Sequence, residues 1–114
     1  MPTTKAELLQ GTLDLLILKT LSAGAMHGYA IAQRIQERSE DVLIVEEGSL
    51  YPALYRMEES RLLKAEWEDT PERQRGPRRR IYRLTPKGKR QLAAGRKEWQ
   101  EFVTVIGGIL GAAT

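Results

Sequence analysis

The sequence predicts a mainly α-helical fold with one small β-hairpin: a winged helix-turn-helix at residues 1–84, followed by a C-terminal dimerisation helix at residues 85–114. Two observations support this prediction. Three helical patterns follow one another, and two strand-like stretches then enclose an arginine-rich loop. The remaining residues carry apolar side chains at a period of about 3.5 residues, which is typical of a helix that pairs with another helix.

Composition indicates a globular protein and excludes several chemistries. With 41% hydrophobic and 29% charged residues, the 114-residue chain can form one domain with a core. It contains no cysteine, which excludes disulfides, thiolate zinc sites and a cysteine nucleophile. The N-terminus lacks the layout of a signal peptide, and no apolar run approaches the ~20 residues that a membrane helix needs. We therefore expect a cytoplasmic protein that does not enter a membrane.

Charge is segregated along the chain. Residues 41–70 contain three basic and eight acidic side chains, a net charge of −5, whereas residues 71–97 contain eleven basic and one acidic, a net charge of +10. A basic block of this kind favours a polyanionic partner, such as double-stranded DNA.

The first two helices are expected at about residues 4–22 and 27–39. Leucines cover more than one face of the first helix, which indicates that a second chain covers part of it, at Leu8 and Leu9. His27, the only histidine, has no catalytic or metal-binding neighbours in sequence and is expected to cap or pack.

The third helix is predicted to begin at an N-cap Ser49, which places Pro52 in the first turn, or alternatively nearer Glu46. Its apolar stripe consists of Leu50, Leu54 and Met57. The other side presents Ser49, Pro52 and Arg56, with Tyr51 and Tyr55 flanking. This outward face would suit a helix laid into a DNA groove. An ordinary surface helix with amphipathic tyrosines fits the stretch equally well.

Two strands are predicted at residues 65–70 and 78–84, and they form a hairpin. Arginines concentrate on it, at Arg73, Arg75, Arg78, Arg79, Arg80 and Arg83. On a wing, these side chains would contact phosphates or enter the minor groove; the alternative is a solvated strand face.

Thr85 followed by Pro86 predicts the start of the last helix, which extends to about residue 110. Its apolar seam contains Leu92, Trp99, Phe102, Val103, Ile106, Ile109 and Leu110. Since the winged-helix domain is already complete without this helix, the seam predicts an identical partner chain.

Four stretches stand in order along the chain: GTLDLLIL at 11–18, HGYAI at 27–31, EGSLYPAL at 47–54 and RRRIYRLTPKG at 78–88. In these the chain resembles the PadR family of bacterial transcriptional regulators, in its compact subgroup with one C-terminal helix. The resemblance implies a homodimeric repressor that binds an inverted-repeat operator. We expect no cofactor and no metal. Ser49 departs from the threonine that is commoner in the family, but it keeps the hydroxyl.

The expected DNA contacts are Tyr29, Ser49, Tyr51, Pro52, Tyr55, Arg56, Arg78, Arg79 and Arg80. Tyr51 could also belong to packing, Tyr29 to the core, and Arg56 to an ion pair with Glu59. The expected dimer contacts are Leu8, Leu9, Leu92, Trp99, Phe102, Val103 and Ile106. Trp99 could instead face its symmetry mate across a gap and stack on a planar aromatic effector, the binding mode of a compact relative that the chain resembles.

Two other classes of function compete with a DNA-binding regulator. An enzyme is disfavoured because the sequence has no glycine-rich phosphate loop, no thiol and a single histidine. A winged-helix module that binds proteins and has lost DNA binding is opposed only by the arginine-rich wing.

Overall fold

The computed structural model describes residues 5–68 and 79–111, with side chains from residue 12 onward in the first helix. The elements are α1 (Lys5–Leu21), β1 (Met26–His27), α2 (Gly28–Arg38), α3 (Glu47–Glu59), β2 (Leu63–Trp67), β3 (Arg80–Leu84) and α4 (Pro86–Leu110). This order confirms the predicted fold class: helices with one small sheet, arranged as a winged helix with an appended long helix.

The sheet has three antiparallel strands in the order β1-β3-β2, rather than the two of the predicted hairpin. The two residues of β1 pair with β3, with Met26 opposite Tyr82. Met26 lies between the two helices expected at about residues 4–22 and 27–39, where no strand was predicted. Two residues are too short to show an alternating pattern, so only the pairing with β3 makes them a strand.

The core lies where α1, α2 and α3 meet the sheet. Its buried side chains are Leu13, Ile17, Leu18, Leu21, Ile31, Ile35, Leu50, Ala53, Leu54, Met57, Leu63 and Tyr82. The apolar stripe that the sequence assigned to the third helix is therefore confirmed as its buried face.

Helix α3 begins at Glu47 with Glu46 as its N-cap residue, so the alternative start is the observed one and Ser49 is not the N-cap. The Ser49 amide donates to the carbonyl of Glu46 at 3.0 Å inside the first turn. Pro52 consequently lies past that turn. Because proline has no N–H, the Gly48 carbonyl loses its helical partner there, on the exposed side of the helix.

Helix α4 is fastened to the turn that follows α3. Thr85 is its N-cap: the hydroxyl accepts from the Gly88 amide at 2.9 Å and lies 2.7 Å from the Arg61 carbonyl, to which it donates. The Thr85 amide donates to the Leu62 carbonyl at 3.1 Å. A Cβ on Gly88 would lie 2.2 Å from that same oxygen, so only glycine allows this approach. The helix ends at Gly111, in the left-handed conformation with φ 72°.

The first half of α4 belongs to the core of its own chain. Leu92 is partly buried against that core, and a Cβ on Gly95 would lie 2.8 Å from Leu15 on α1. Leu92 thus packs within its own chain, and its contact with a partner chain stays a prediction. Beyond Gly95, the side chains of α4 at residues 96–106 are exposed. Leu8 and Leu9 lie in α1, but their side chains are outside the described part of the structure.

Candidate nucleic-acid interface

Helix α3 presents one continuous exposed face. Ser49, Pro52, Tyr55 and Arg56 are all exposed, on the side away from the buried stripe. Tyr29, at the start of α2, is 69% exposed, so the alternative that it packs in the core does not hold. These five side chains offer hydroxyls, a guanidinium and apolar surface, the groups that contact phosphates and base edges.

Tyr51 lies at the edge of this face and has a packing role. It is 43% exposed, and its ring covers Gly28 so closely that a Cβ there would lie 2.9 Å from Cε1. A side chain at the first position of α2 would have to displace this ring, whose contact with Gly28 joins α3 to that helix. The alternative that Tyr51 belongs partly to packing is confirmed.

Arg56 pairs with α1. Its Nη2 donates to Oδ1 of Asp14 at 2.6 Å, so the partner is not the Glu59 that helical spacing suggested. Both side chains are largely exposed, 52% for Arg56 and 38% for Asp14, so the pair contributes at most about 1 kcal/mol to stability.

Arg80 is held by α3. Its two terminal nitrogens donate to the two carboxylate oxygens of Glu58 at 3.0 and 2.8 Å, and the side chains are only 32% and 28% exposed. The guanidinium also lies 5.3 Å from the ring centre of Trp67 and 5.9 Å from that of Tyr82. Its Nε is buried and has no hydrogen-bond partner among residues 5–68 and 79–111. This geometry fixes β3 to α3 and holds the Arg80 guanidinium against Glu58.

Burial raises the pKa of the Tyr82 hydroxyl above its ordinary value of 10.0. The guanidinium of Arg80 opposes the rise, while the charge of Glu58 adds to it. The hydroxyl is consequently neutral at physiological pH, and the Tyr82 side chain packs in the core beneath the wing.

The family model "Transcriptional regulator PadR-like family" matches residues 17–94, which span the core, α3 and the strands of the wing. The chain belongs to the PadR family. A transcriptional regulator of Mycobacterium tuberculosis is 36% identical over 93 residues, 81% of this chain and 80% of that protein. The crystal structure of a PadR-family regulator of Clostridium difficile is similar to this fold with a TM-score of 0.74, and its sequence is 37% identical. The match covers 88% of this chain and 99% of that protein chain. A transcriptional regulator of Clostridium thermocellum reaches a TM-score of 0.80 at 28% identity, covering 89% of this chain and 95% of its own.

Membership settles the class of function. PadR proteins are transcriptional regulators that bind DNA, and they are not enzymes, so the enzyme alternative is excluded. Within the described residues, no three His, Cys, Asp or Glu side chains converge as metal ligands, and no helix is long and apolar enough to cross a membrane.

The wing of this PadR protein is described only at its base. Arg79 is exposed, and its carbonyl accepts from the Glu68 amide at 2.7 Å. Arg78 and the rest of the arginine-rich loop lie outside the described residues. At the base, Arg83 pairs with Glu66 at 3.4 Å and Arg80 with Glu58, so acidic residues of the preceding segment neutralise part of the basic block.

His27 has a contact that sequence reasoning did not find. It occupies the N-cap position of α2, yet its side chain makes no capping bond. Its Nε2 lies instead 3.0 Å from Oε2 of Glu68, at the end of β2. Of the two roles expected for His27, capping and packing, the side chain does not make the cap, and its contact with Glu68 joins the short strand β1 to the far side of the sheet.

A cleft of about 500 Å³ opens between α1 and α4 of the same chain. Trp99 and Phe102 line one side, with ring centres 6.1 Å apart, and Asp14 and Glu98 add two carboxyl groups. Trp99 is 45% exposed. The sequence analysis considered Trp99 only across a dimer axis, because sequence spacing could not show that α1 supplies a second wall.

Proposed function

We propose that this PadR protein is a homodimeric repressor that binds an inverted-repeat operator and is released by a small planar cation. The observation that carries the proposal is the exposed apolar stripe of α4. Its members Val103, Val105, Ile106, Ile109 and Leu110 are between 37% and 76% exposed. One chain leaves this stripe uncovered, and a second copy would cover it.

A dimer explains why one small domain would suffice for operator recognition. A single α3 covers only a half-site, whereas two-fold symmetry brings two recognition helices to half-sites about one helical turn, ~10 bp, apart or a multiple of it. We assign the DNA contacts to Tyr29, Ser49, Pro52, Tyr55, Arg56 and Arg79, with Arg78 from the loop. Tyr51 and Arg80 are assigned to holding α3 and the wing in place.

The effector proposal rests on the cleft between α1 and α4. Aromatic faces at Trp99 and Phe102 would stack on a flat molecule, and the carboxyl groups of Asp14 and Glu98 favour a positive charge. The competing role for Trp99 is a large hydrophobe that closes the dimer interface. Trp99→Ala separates the two: a cleft residue loses ligand binding while the dimer persists, and an interface residue loses the dimer.

Truncation after Lys97 tests the dimer, because it removes the exposed part of α4 and keeps Leu92 and Gly95, which pack against the core of the same chain. Sedimentation should show a dimer for the full chain and a monomer, or insoluble protein, for the truncated one. A truncated chain that sediments as a stable dimer would contradict the proposal.

Selection from random duplexes tests operator binding and separates it from the protein-interaction alternative. The full chain should enrich inverted repeats, and its affinity should fall steeply with salt, because each phosphate contact adds about 0.9 to the log–log slope. A chain that enriches no sequence and shows a flat salt dependence would favour the module without DNA binding.

A further inference from the structure

One carboxylate, that of Asp14, takes part in two features of the molecule. Its Oδ1 accepts the 2.6 Å hydrogen bond from Arg56 on α3, and Asp14 is also one of the residues that line the cleft between α1 and α4. Asp14 therefore stands between the cleft and the exposed face of α3.

We propose that a planar cation in the cleft and the guanidinium of Arg56 compete for the Asp14 carboxylate, so that the ligand acts directly on a DNA-contacting side chain. The inference rests on the effector cleft and the role of Arg56 proposed above. It adds a physical link between the cleft and Arg56, namely the Asp14 carboxylate for which the ligand and Arg56 compete.

The composition of the cleft selects a cation. Among the described residues that line it, Asp14 and Glu98 are the charged ones, and both are acidic. The rings of Trp99 and Phe102 attract a positive charge over their faces as well as stacking on a flat molecule. A neutral planar molecule would gain the stacking but would have no reason to displace Arg56.

The ion pair is weak enough to be broken. The Arg56 and Asp14 side chains are 52% and 38% exposed, and exposed pairs of this kind are seldom coupled by more than a factor of ~5. Because coupling between two interactions is reciprocal, the ligand and the Arg56–Asp14 ion pair weaken each other by the same factor. Removal of Arg56 should therefore raise the affinity of the chain for a cationic ligand by that factor. We therefore expect a change of about 2- to 5-fold in ligand affinity.

The observed bond also gives the direction of the effect on DNA. Arg56 uses Nη2 on Asp14, which orients the guanidinium and leaves other N–H donors for a phosphate or a base. A ligand that withdraws Asp14 frees the side chain to sample many rotamers. The DNA contact then has to order it again, which lowers affinity.

The experiment is a DNA-free titration of the full chain with ethidium, a permanent planar cation, followed by quenching of Trp99. A Trp67→Phe background removes the other tryptophan. Arg56→Gln should tighten ethidium by about 2- to 5-fold. The matched control Arg34→Gln removes an equal charge from an exposed position on α2 and should change the affinity far less.

Two further arms test the chemistry. Asp14→Asn should weaken ethidium and should abolish the effect of Arg56→Gln in the double variant, since the shared carboxylate is gone. Phenanthridine, which has the ethidium ring system but is neutral near neutral pH, should bind wild type and Arg56→Gln equally. Equal binding of ethidium to Arg56→Gln and Arg34→Gln would overturn the competition while leaving the cleft intact. Absence of quenching in the Trp67→Phe chain would overturn the effector cleft and the competition together.

Discussion

Replacing Arg80 with alanine tests whether this arginine contacts DNA or builds the wing. The change removes two hydrogen bonds to Glu58, of 3.0 and 2.8 Å, and the contacts with the rings of Trp67 and Tyr82. Hydrogen bonds to charged groups contribute about 1.5–3 kcal/mol, and Glu58 is left partly buried without its partner. We therefore expect the free energy of unfolding to fall by about 1.5–3 kcal/mol.

The matched control is Arg79→Ala, on the neighbouring exposed residue. It should leave the free energy of unfolding nearly unchanged but lower the magnitude of the log–log salt slope of DNA binding by about 0.9. Arg80→Ala should leave the slope unchanged. Glu58→Gln should reproduce the loss of stability without removing a positive charge.

Urea denaturation at fixed protein concentration gives the stability, since a dimer's midpoint depends on concentration. Fluorescence anisotropy on a labelled duplex over a range of KCl gives the slope. If Arg80→Ala keeps wild-type stability and lowers the slope as Arg79→Ala does, Arg80 leaves Glu58 on binding DNA, and our assignment is refuted.

Further predictions concern the start of α4, the packing beneath the wing, and Tyr51. Gly88→Ala should lower the free energy of unfolding by about 1–3 kcal/mol or more, because its Cβ would lie 2.2 Å from the Leu62 carbonyl oxygen. Gly48→Ala is the control, since the added Cβ would meet open space and should not destabilise the fold. Equal urea midpoints for the two variants would contradict this prediction. The raised pKa of Tyr82 means that its contribution to stability is complete below pH 10.0 and is lost as the pH rises through the folded-state pKa, so Tyr82→Phe should flatten the alkaline part of the stability curve. Gly28→Ala should displace the Tyr51 ring, which lies 2.9 Å from the added Cβ, and weaken DNA binding with little change in salt slope, because no cationic side chain is removed; an unchanged DNA affinity would contradict the role of the ring in positioning α3.

The sequence by itself determined the features that depend on near neighbours in the chain. The apolar stripe of α3 at Leu50, Leu54 and Met57 follows from helical periodicity, and the start of α4 follows from Thr85 and Pro86. Each of these signals depends on only a few neighbouring residues. They lie in or beside the stretches that resemble the PadR family, and the match to the family model confirms that resemblance.

The tertiary structure decided which partner each charged or aromatic residue meets. Arg80 finds Glu58 at a separation of 22 residues, and Arg56 finds Asp14 at 42. Sequence spacing suggested Glu59 for Arg56, because it ranks neighbours along one helix and cannot see a carboxylate brought in by α1. The two residues of β1 and the inward packing of Leu92 likewise exist only because another element supplies the opposite surface. The sequence shows which residues are charged. Whether a charged side chain forms an ion pair within the fold or stays free to contact DNA depends on the residues that the fold places beside it.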